Sequence, residues 1–357
     1  MAASYQGKIM ARSPFYITAT GSTYITSATL QVFIWQGAFA SQPATAQYTI
    51  SKNALTATST NIIFEIAPLV RDYFNHNRDA YADTLSTFAD CVFVEIILSV
   101  VQTVGTVADV NYYYHAFDGY GNFSDAVNPQ GTDVIVNTIN VLSGQDILHP
   151  VYAHSDGIDQ VKYYSSAGAL QTTVSLATPV ASTNAYDKTQ YLTRTSASNT
   201  YSFTLLYSTV VQETVIVNYI DPCKYTAVAI KFYDKNGMLQ KIWMYAKSSE
   251  SLSTNKNTYN KITGSVSGGA YVYSTEKHQK QPYNITANKS IVLNSGWVLE
   301  AQNTIWEQLF LSELVWVNDK PANITSQSLE YKTQLNDRLI NYTFNFDYAY
   351  SEINNVY

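Results

Sequence analysis

Charge is what this chain has least of. Only 13% of its 357 residues are Asp, Glu, Lys or Arg, against about 25% in an ordinary soluble domain. The balance is acidic: 21 basic against 27 acidic residues gives a net charge of −6. Such a chain is poorly suited to wrapping a phosphate backbone, so no nucleic-acid partner is expected. Cysteine is scarcer still. Cys91 and Cys223 stand far apart, with no Cys-x-x-Cys and no Cys/His pair to hold zinc. They read as two free core thiols, a disulfide between them being the alternative.

Long apolar runs are missing too. The richest, residues 91–101, contains Glu95. It falls short of the roughly 18 residues of a membrane span and reads as a buried strand. The opening MAASYQGKIMARSP has neither the apolar core nor the cleavage pattern of a signal peptide. The expectation is a protein that stays in the compartment where it is made. The sequons at Asn122, Asn284, Asn288, Asn323 and Asn341 then read as chance in an Asn- and Thr-rich chain.

What the chain has is aromatics and uncharged polar residues. Aromatics make up 14%, with 30 tyrosines, and apolar residues 46%. That composition excludes disorder and supplies a core for two or three domains. Short alternating runs rich in Val, Ile, Thr, Tyr and Phe dominate. In 28–35, Leu30, Val32 and Ile34 share one face. Residues 91–104 and 107–117 predict a hairpin across Gly105, and Lys235-Asn-Gly237 predicts another turn. Further strands are predicted at 134–141, 160–164, 171–176, 201–207 and 213–219.

A short helix is predicted from Pro68, with Leu69, Val70 and Tyr73 at helical spacing. A longer one is predicted near 299–316, with Ile305 and Leu309 on one stripe and Glu300, Glu307 and Gln308 outside it. It reads as packed on a sheet, or alternatively as a docking helix. Residues 177–199 read as a long loop or an irregular edge, and the Ser-, Thr-, Asn- and Gly-rich stretch 248–269 as a loop or flexible tip. The terminal hairpin is predicted to run out over 326–333, turn at Asn336-Asp337 and return over 339–348. Its returning strand reads as shared between subunits, or as an edge that must be covered.

The fold class predicted is mainly β. It has two or three β-sandwich domains, Ig-like or jelly-roll-like, with two short helices inserted, the longer near 299–316. Boundaries fall at 1–130, 131–222 and 223–357.

Catalytic constellations are hard to find. The densest group of potential ligands, His149 to Asp159 with His154 and Asp156, contains Pro and Gly and reads as a solvated turn rather than an ion site. Asp118-Gly-Tyr-Gly-Asn122 with Asp125 reads as turn chemistry; it lacks the pattern of a calcium loop and of a nucleotide fingerprint. No Gly-x-Ser-x-Gly, Walker or His-Glu-x-x-His motif occurs. No enzyme, cofactor or metal is expected. The tyrosines are the remaining signal. Tyr112, Tyr113 and Tyr114 alternate sides of a strand, so they cannot all be core, and Tyr163-Tyr164 and Tyr271-Val-Tyr273 place further rings outward. They read as cross-strand packing, as an interface or as platforms for sugar rings. Candidate interface or glycan contacts are Trp35 and Tyr112, Tyr113 and Tyr114. To these the last strand adds Tyr342, Phe344, Phe346 and Tyr348, which share one face.

Two outer thirds of the chain resemble a known family. The residues are Cys223-Lys-Tyr-Thr, Lys231-Phe-Tyr-Asp-Lys-Asn-Gly-Met-Leu-Gln240 with Trp243, Leu293-Asn-Ser-Gly-Trp297, and Leu309-Phe-Leu-Ser-Glu-Leu-Val-Trp316. The ending adds Leu329-Glu-Tyr-Lys-Thr and Asn336-Asp-Arg-Leu-Ile-Asn-Tyr-Thr-Phe344. The N-terminal third adds Ser13-Pro-Phe-Tyr-Ile, Leu69-Val-Arg-Asp and Ala116-Phe-Asp-Gly-Tyr-Gly-Asn-Phe123. Together they resemble virion structural proteins of tailed phages infecting Bacteroidetes. The resemblance implies a symmetric oligomeric part of the tail, baseplate or neck, assembled in the host bacterial cytoplasm and acting by contacts with its own copies and other virion proteins. Alternatives are a receptor- or carbohydrate-binding module at the tail tip, contacting a host glycan or receptor, and a capsid or head-fibre component.

Overall fold

The computed structural model describes residues 5–353 apart from 37–40, 78–90, 126–136, 154–157, 177–187, 195–198, 222–223 and 327–338. It is mainly β, with two short α-helices among the described residues. The chain divides into two compact units. One comprises residues 1–221, 231–242 and 301–312; the other comprises 222–230, 243–300 and 313–357.

The first unit opens with β1 (Tyr5–Met10), β2 (Tyr16–Thr20), β3 (Ile25–Trp35), β4 (Tyr48–Asn53) and β5 (Asn61–Glu65). Helix α1 (Ala67–Asn77), β6 (Cys91–Gln102) and β7 (Thr106–Phe117) follow. One sheet has the order β1-β7-β6-β3-β4, and β2 pairs with β5. Period-2 alternation sorts β3 as predicted. Leu30, Val32 and Ile34 face a core completed by Ile17 and Ala19 of β2, Phe64 of β5 and Val70 and Phe74 of α1. Phe33 and Trp35 face the other way. The β6–β7 turn runs through Gly105 at φ +80, a conformation that favours glycine.

The same unit continues with β8 (Thr138–Leu142), β9 (Ile147–Ala153), β10 (Gln160–Tyr164), β11 (Leu170–Ser175), β12 (Lys188–Arg194), β13 (Ser202–Tyr207) and β14 (Val210–Ile220). A sheet of order β11-β10-β13-β14-β8 and the β12-β9 pair enclose a core around Val161, Phe203, Leu205 and Val215. One expectation is sharpened here and another corrected. Within 177–199, read as a long loop or an irregular edge, β12 is a strand that pairs with β9 alone among the described residues, from Lys188↔Ala153 to Arg194↔Ile147. His149 belongs to β9 rather than to a turn. Among the described residues β9 pairs on one side only, the edge position at which a strand proline such as Pro150 is tolerated.

The rest of the chain forms β15 (Val228–Tyr233), β16 (Leu239–Met244), β17 (Ser249–Asn260), β18 (Gly264–Ser267), β19 (Ala270–Tyr273), β20 (Lys280–Asn294) and β21 (Val298–Leu299). After these come α2 (Asn303–Leu311), β22 (Val315–Val317), β23 (Lys320–Ile324), β24 (Leu339–Ile340) and β25 (Thr343–Tyr348). The sheet order is β16-β15-β22-β23-β25-β20-β17. The division between units passes through the β15–β16 hairpin, whose residues 231–242 go with the first.

Three further expectations change. The helix predicted near 299–316 is shorter. A 3-10 turn at Glu300–Gln302 leads into α2, Ser312 is already extended at ψ 134, and Val315–Val317 is a strand. Gln308, placed outside the apolar stripe, is buried because its Oε1 accepts the Lys235 N–H at 2.9 Å. Residues 249–260, read as a loop or flexible tip, form a strand of 12 residues. Its side chains are polar and exposed on both faces, so no alternation advertises it. The last strand is neither shared nor an edge, since β25 lies between β20 and β23. Its predicted partner at 326–333 and the Asn336-Asp337 turn lie outside the described residues, Ser326 excepted.

Candidate interaction surface

The aromatic residues singled out from sequence fall in both units, and most are buried. Trp35 is 4% exposed and stacks on Phe93 at 5.4 Å. Tyr114 faces the sandwich core, its ring edge-on to Phe15 at 5.2 Å, with Tyr112 half-buried on the same face. Tyr113 is half-buried on the opposite face, where its hydroxyl donates to the Glu95 carboxylate. Asn111 Nδ2 donates to Glu95 at 3.1 Å, and Gln42 Nε2 donates as well. That satisfaction is what lets a carboxylate sit buried in a strand.

Tyr342, Phe344, Phe346 and Tyr348 are all buried, Phe346 completely. Successive rings along Tyr342, Phe344 and Phe346 lie 6.5 and 6.3 Å apart. They are the core face of a central strand and present nothing to a partner. Sequence gave their common face correctly; it could not say that the face is covered.

The His149–Asp159 group does not gather into a site. His149 is buried, edge-on to Phe203 at 5.3 Å, and neither ring nitrogen has a hydrogen-bond partner among the described residues. Burial holds its pKa down at about 4, so the ring is neutral at pH 7. Asp159 Oδ2 accepts the Ser208 N–H at 3.0 Å. His154 and Asp156 lie outside the described residues, as does Cys223. The turn at Asp118–Asn122 serves packing: the Tyr120 N–H bonds to Lys235 O at 2.8 Å and the Gly121 N–H to Ser13 Oγ at 2.6 Å. Among the described residues no group of three His, Cys, Asp or Glu side chains is placed to hold a metal. None of their helices is long and apolar enough to cross a membrane.

An exposed group of tyrosines lies in the second unit, on β17 to β20. Strands β17 and β20 pair from Ser249↔Val292 to Asn260↔Lys280, with a bulge between Asn255 and Asn257. On its other side β20 pairs with β25 only over 290–294. Residues 252–260 and 280–289 therefore form a ribbon of two strands, extending roughly 30 Å at about 3.4 Å per residue. Its ion pair, Glu250 to Lys289 at 2.7 Å, sits near the root.

Beyond the ribbon the β18–β19 hairpin turns at Gly268-Gly269, both at positive φ. Val266, Tyr271 and Tyr273 share one face of it by register, and all are exposed, Tyr273 at 65%. Tyr271 lies over Gly264, where a Cβ would strike its ring. On the ribbon, the Tyr259 and Tyr283 rings meet edge to face at 5.7 Å, and the Tyr259 hydroxyl donates to Gln281 at 3.1 Å. Lys261, Ile262, Lys277, His278 and Pro282 contribute to an open cleft of about 530 Å³.

No family model matches this chain, and no curated protein sequence does either.

The ribbon has a sequence signal of its own. Residues 251–283 contain Lys256, Lys261, Lys277 and Lys280 against Glu276 alone, so 4 − 1 = +3. The chain as a whole carries −6, which leaves −9 for the remainder. Residues 251–283 are thus a basic segment in an acidic chain, with Gly268-Gly269 between runs of strand formers. The Tyr271 and Tyr273 rings offer a stiff, amphipathic contact surface at small entropic loss.

Proposed function

We propose that this chain is a structural protein of a tailed-phage virion, a repeated component of the tail, baseplate or neck that works by assembly contacts and not by catalysis. The observation that carries the reading is the β17–β20 ribbon, all twelve residues of whose edge strand are exposed. A two-stranded ribbon is marginal in water by itself, and an open edge strand invites pairing with another chain. Both are satisfied when the ribbon is buried against a neighbour. The low charge and the resemblance of the outer thirds to phage virion proteins support the same reading. The protein would then reside in the particle and be assembled in the host cytoplasm. Mass spectrometry of purified particles tests it: peptides of this chain at structural-protein abundance are expected, and their absence would sink the reading.

A second reading is favoured by the tip. The exposed Tyr271 and Tyr273 beside Val266, near the cleft, suit recognition of a host glycan at the tail end. A glycan array probed with the purified chain separates the two: specific binding lost in Tyr271→Ala and Tyr273→Ala supports recognition, and a blank array removes it.

A further inference from the structure

We infer that the cleft where the ribbon passes into the β18–β19 hairpin binds a carboxylate-bearing sugar, a uronic-acid unit of a surface polysaccharide, through Lys261 and Lys277. This rests on the glycan reading above and names the class of glycan.

Two connecting segments build the cleft. Residues 261–263 lead out of β17, and residues 274–279 lead back into β20. The Lys261 N–H donates to Gln279 O at 2.7 Å, and the Lys277 N–H donates to Ser274 O at 3.3 Å. The Glu276 N–H donates to Ser274 Oγ at 3.3 Å. Backbone bonding thus brings both lysines onto one open space of about 530 Å³, a size within the range of ligand clefts.

Charge chooses the first group of the ligand. Neither lysine has an ion-pair partner among the described residues, not even Glu276, which lines the same cleft. Both lysines are exposed, so each ammonium is open to an incoming anion. The rest of the lining chooses a sugar. Thr263, Glu276 and Gln281 supply donors and acceptors for hydroxyls, and Ile262 and Pro282 supply apolar surface. A uronic acid carries all three kinds of group on one ring: a carboxylate, hydroxyls and an apolar C–H face. A neutral sugar leaves the lysines unanswered, and an inorganic anion leaves the apolar surface and the acceptors unused.

Fluorescence anisotropy with the full-length chain tests this, using labelled trigalacturonate against galactotriose labelled in the same way. Tighter binding of the acid is expected, weakened by salt. K261Q/K277Q is expected to weaken it on the order of 10-fold. K256Q/K280Q, which removes two ribbon lysines outside the lining, is expected to leave it unchanged. All four side chains are exposed, so both variants keep the circular dichroism of the parent.

Equal affinity for the two trisaccharides overturns the inference. So does an equal loss in the two double variants, or a glutamate oligomer bound as tightly as trigalacturonate, which would reduce the cleft to a patch for any polyanion. Neutral-glycan binding that survives K261Q/K277Q but is lost in Tyr271→Ala and Tyr273→Ala overturns this inference and leaves the glycan reading standing. A chain that binds no glycan of either kind removes both.

Discussion

Gly119 and Gly237 lie back to back. A Cβ on Gly237 would sit 2.8 Å from both N and C of Asp118, and one on Gly119 would sit 2.6 Å from Lys235 O. The Tyr120 N–H to Lys235 O bond closes the same contact. Two turns more than a hundred residues apart, Asp118-Gly-Tyr-Gly and Asp234-Lys-Asn-Gly, are thus built to meet.

Gly237→Ala is expected to destabilise strongly, because it combines positive φ (+75) with collision against backbone. We expect a loss of about 2–4 kcal/mol from the two effects together. Gly144→Ala is the control, with φ +84 but open space around it, and should lose only about 1 kcal/mol. Denaturant melts followed by circular dichroism compare them.

Phe346→Ala should lose about 3–5 kcal/mol, the value for emptying a core aromatic site, since Phe346 is fully buried. Tyr273→Ser, at an exposed ring, should change monomer stability by less than about 0.5 kcal/mol. Equal effects in the two variants would contradict the assignment of β25 to the core and β19 to the surface.

Asp234 and His149 pull acid stability in opposite directions. Asp234 is buried, and although Gln240 Nε2 and the N–H groups of Met238 and Asn236 donate to it, burial outweighs them and raises its pKa from 3.8 to about 6. Between those values the folded state holds more protons than the unfolded one. Stability from this group is present at low pH and is lost as pH rises from about 4 to 6. His149, lowered from 6.5 to about 4, does the reverse: the unfolded chain takes the proton first, and stability is lost as pH falls through that window. Asp234→Asn should therefore steepen acid destabilisation, and His149→Phe should relieve it. Urea melts at intervals between pH 4 and 7 read both slopes.

Cys91 is a buried thiol, 2% exposed. In a Cys223→Ser background it should resist a thiol-specific reagent in the native state and react fully in denaturant. Rapid native labelling would place it elsewhere.

Much of the architecture is written locally. The alternation in β3, the hairpin at Gly105 and the turn before Gly237 follow from residue order and backbone sterics within a few positions. Residues 249–260 carry no alternation, because a strand exposed on both faces needs only a partner for its backbone. Gln308 was misplaced because its burial depends on one carbonyl oxygen meeting Lys235, more than seventy residues away.

The sequence by itself determined that this is a β protein and which residues of each strand share a face. Only the tertiary structure decided which of those faces are covered. Tyr342, Phe344, Phe346 and Tyr348 are core because β25 lies between β20 and β23; Tyr271 and Tyr273 are surface because β19 pairs with β18 alone among the described residues and stays exposed. The physical reason is that alternation is a property of one strand, whereas burial belongs to the neighbours it acquires from distant parts of the chain.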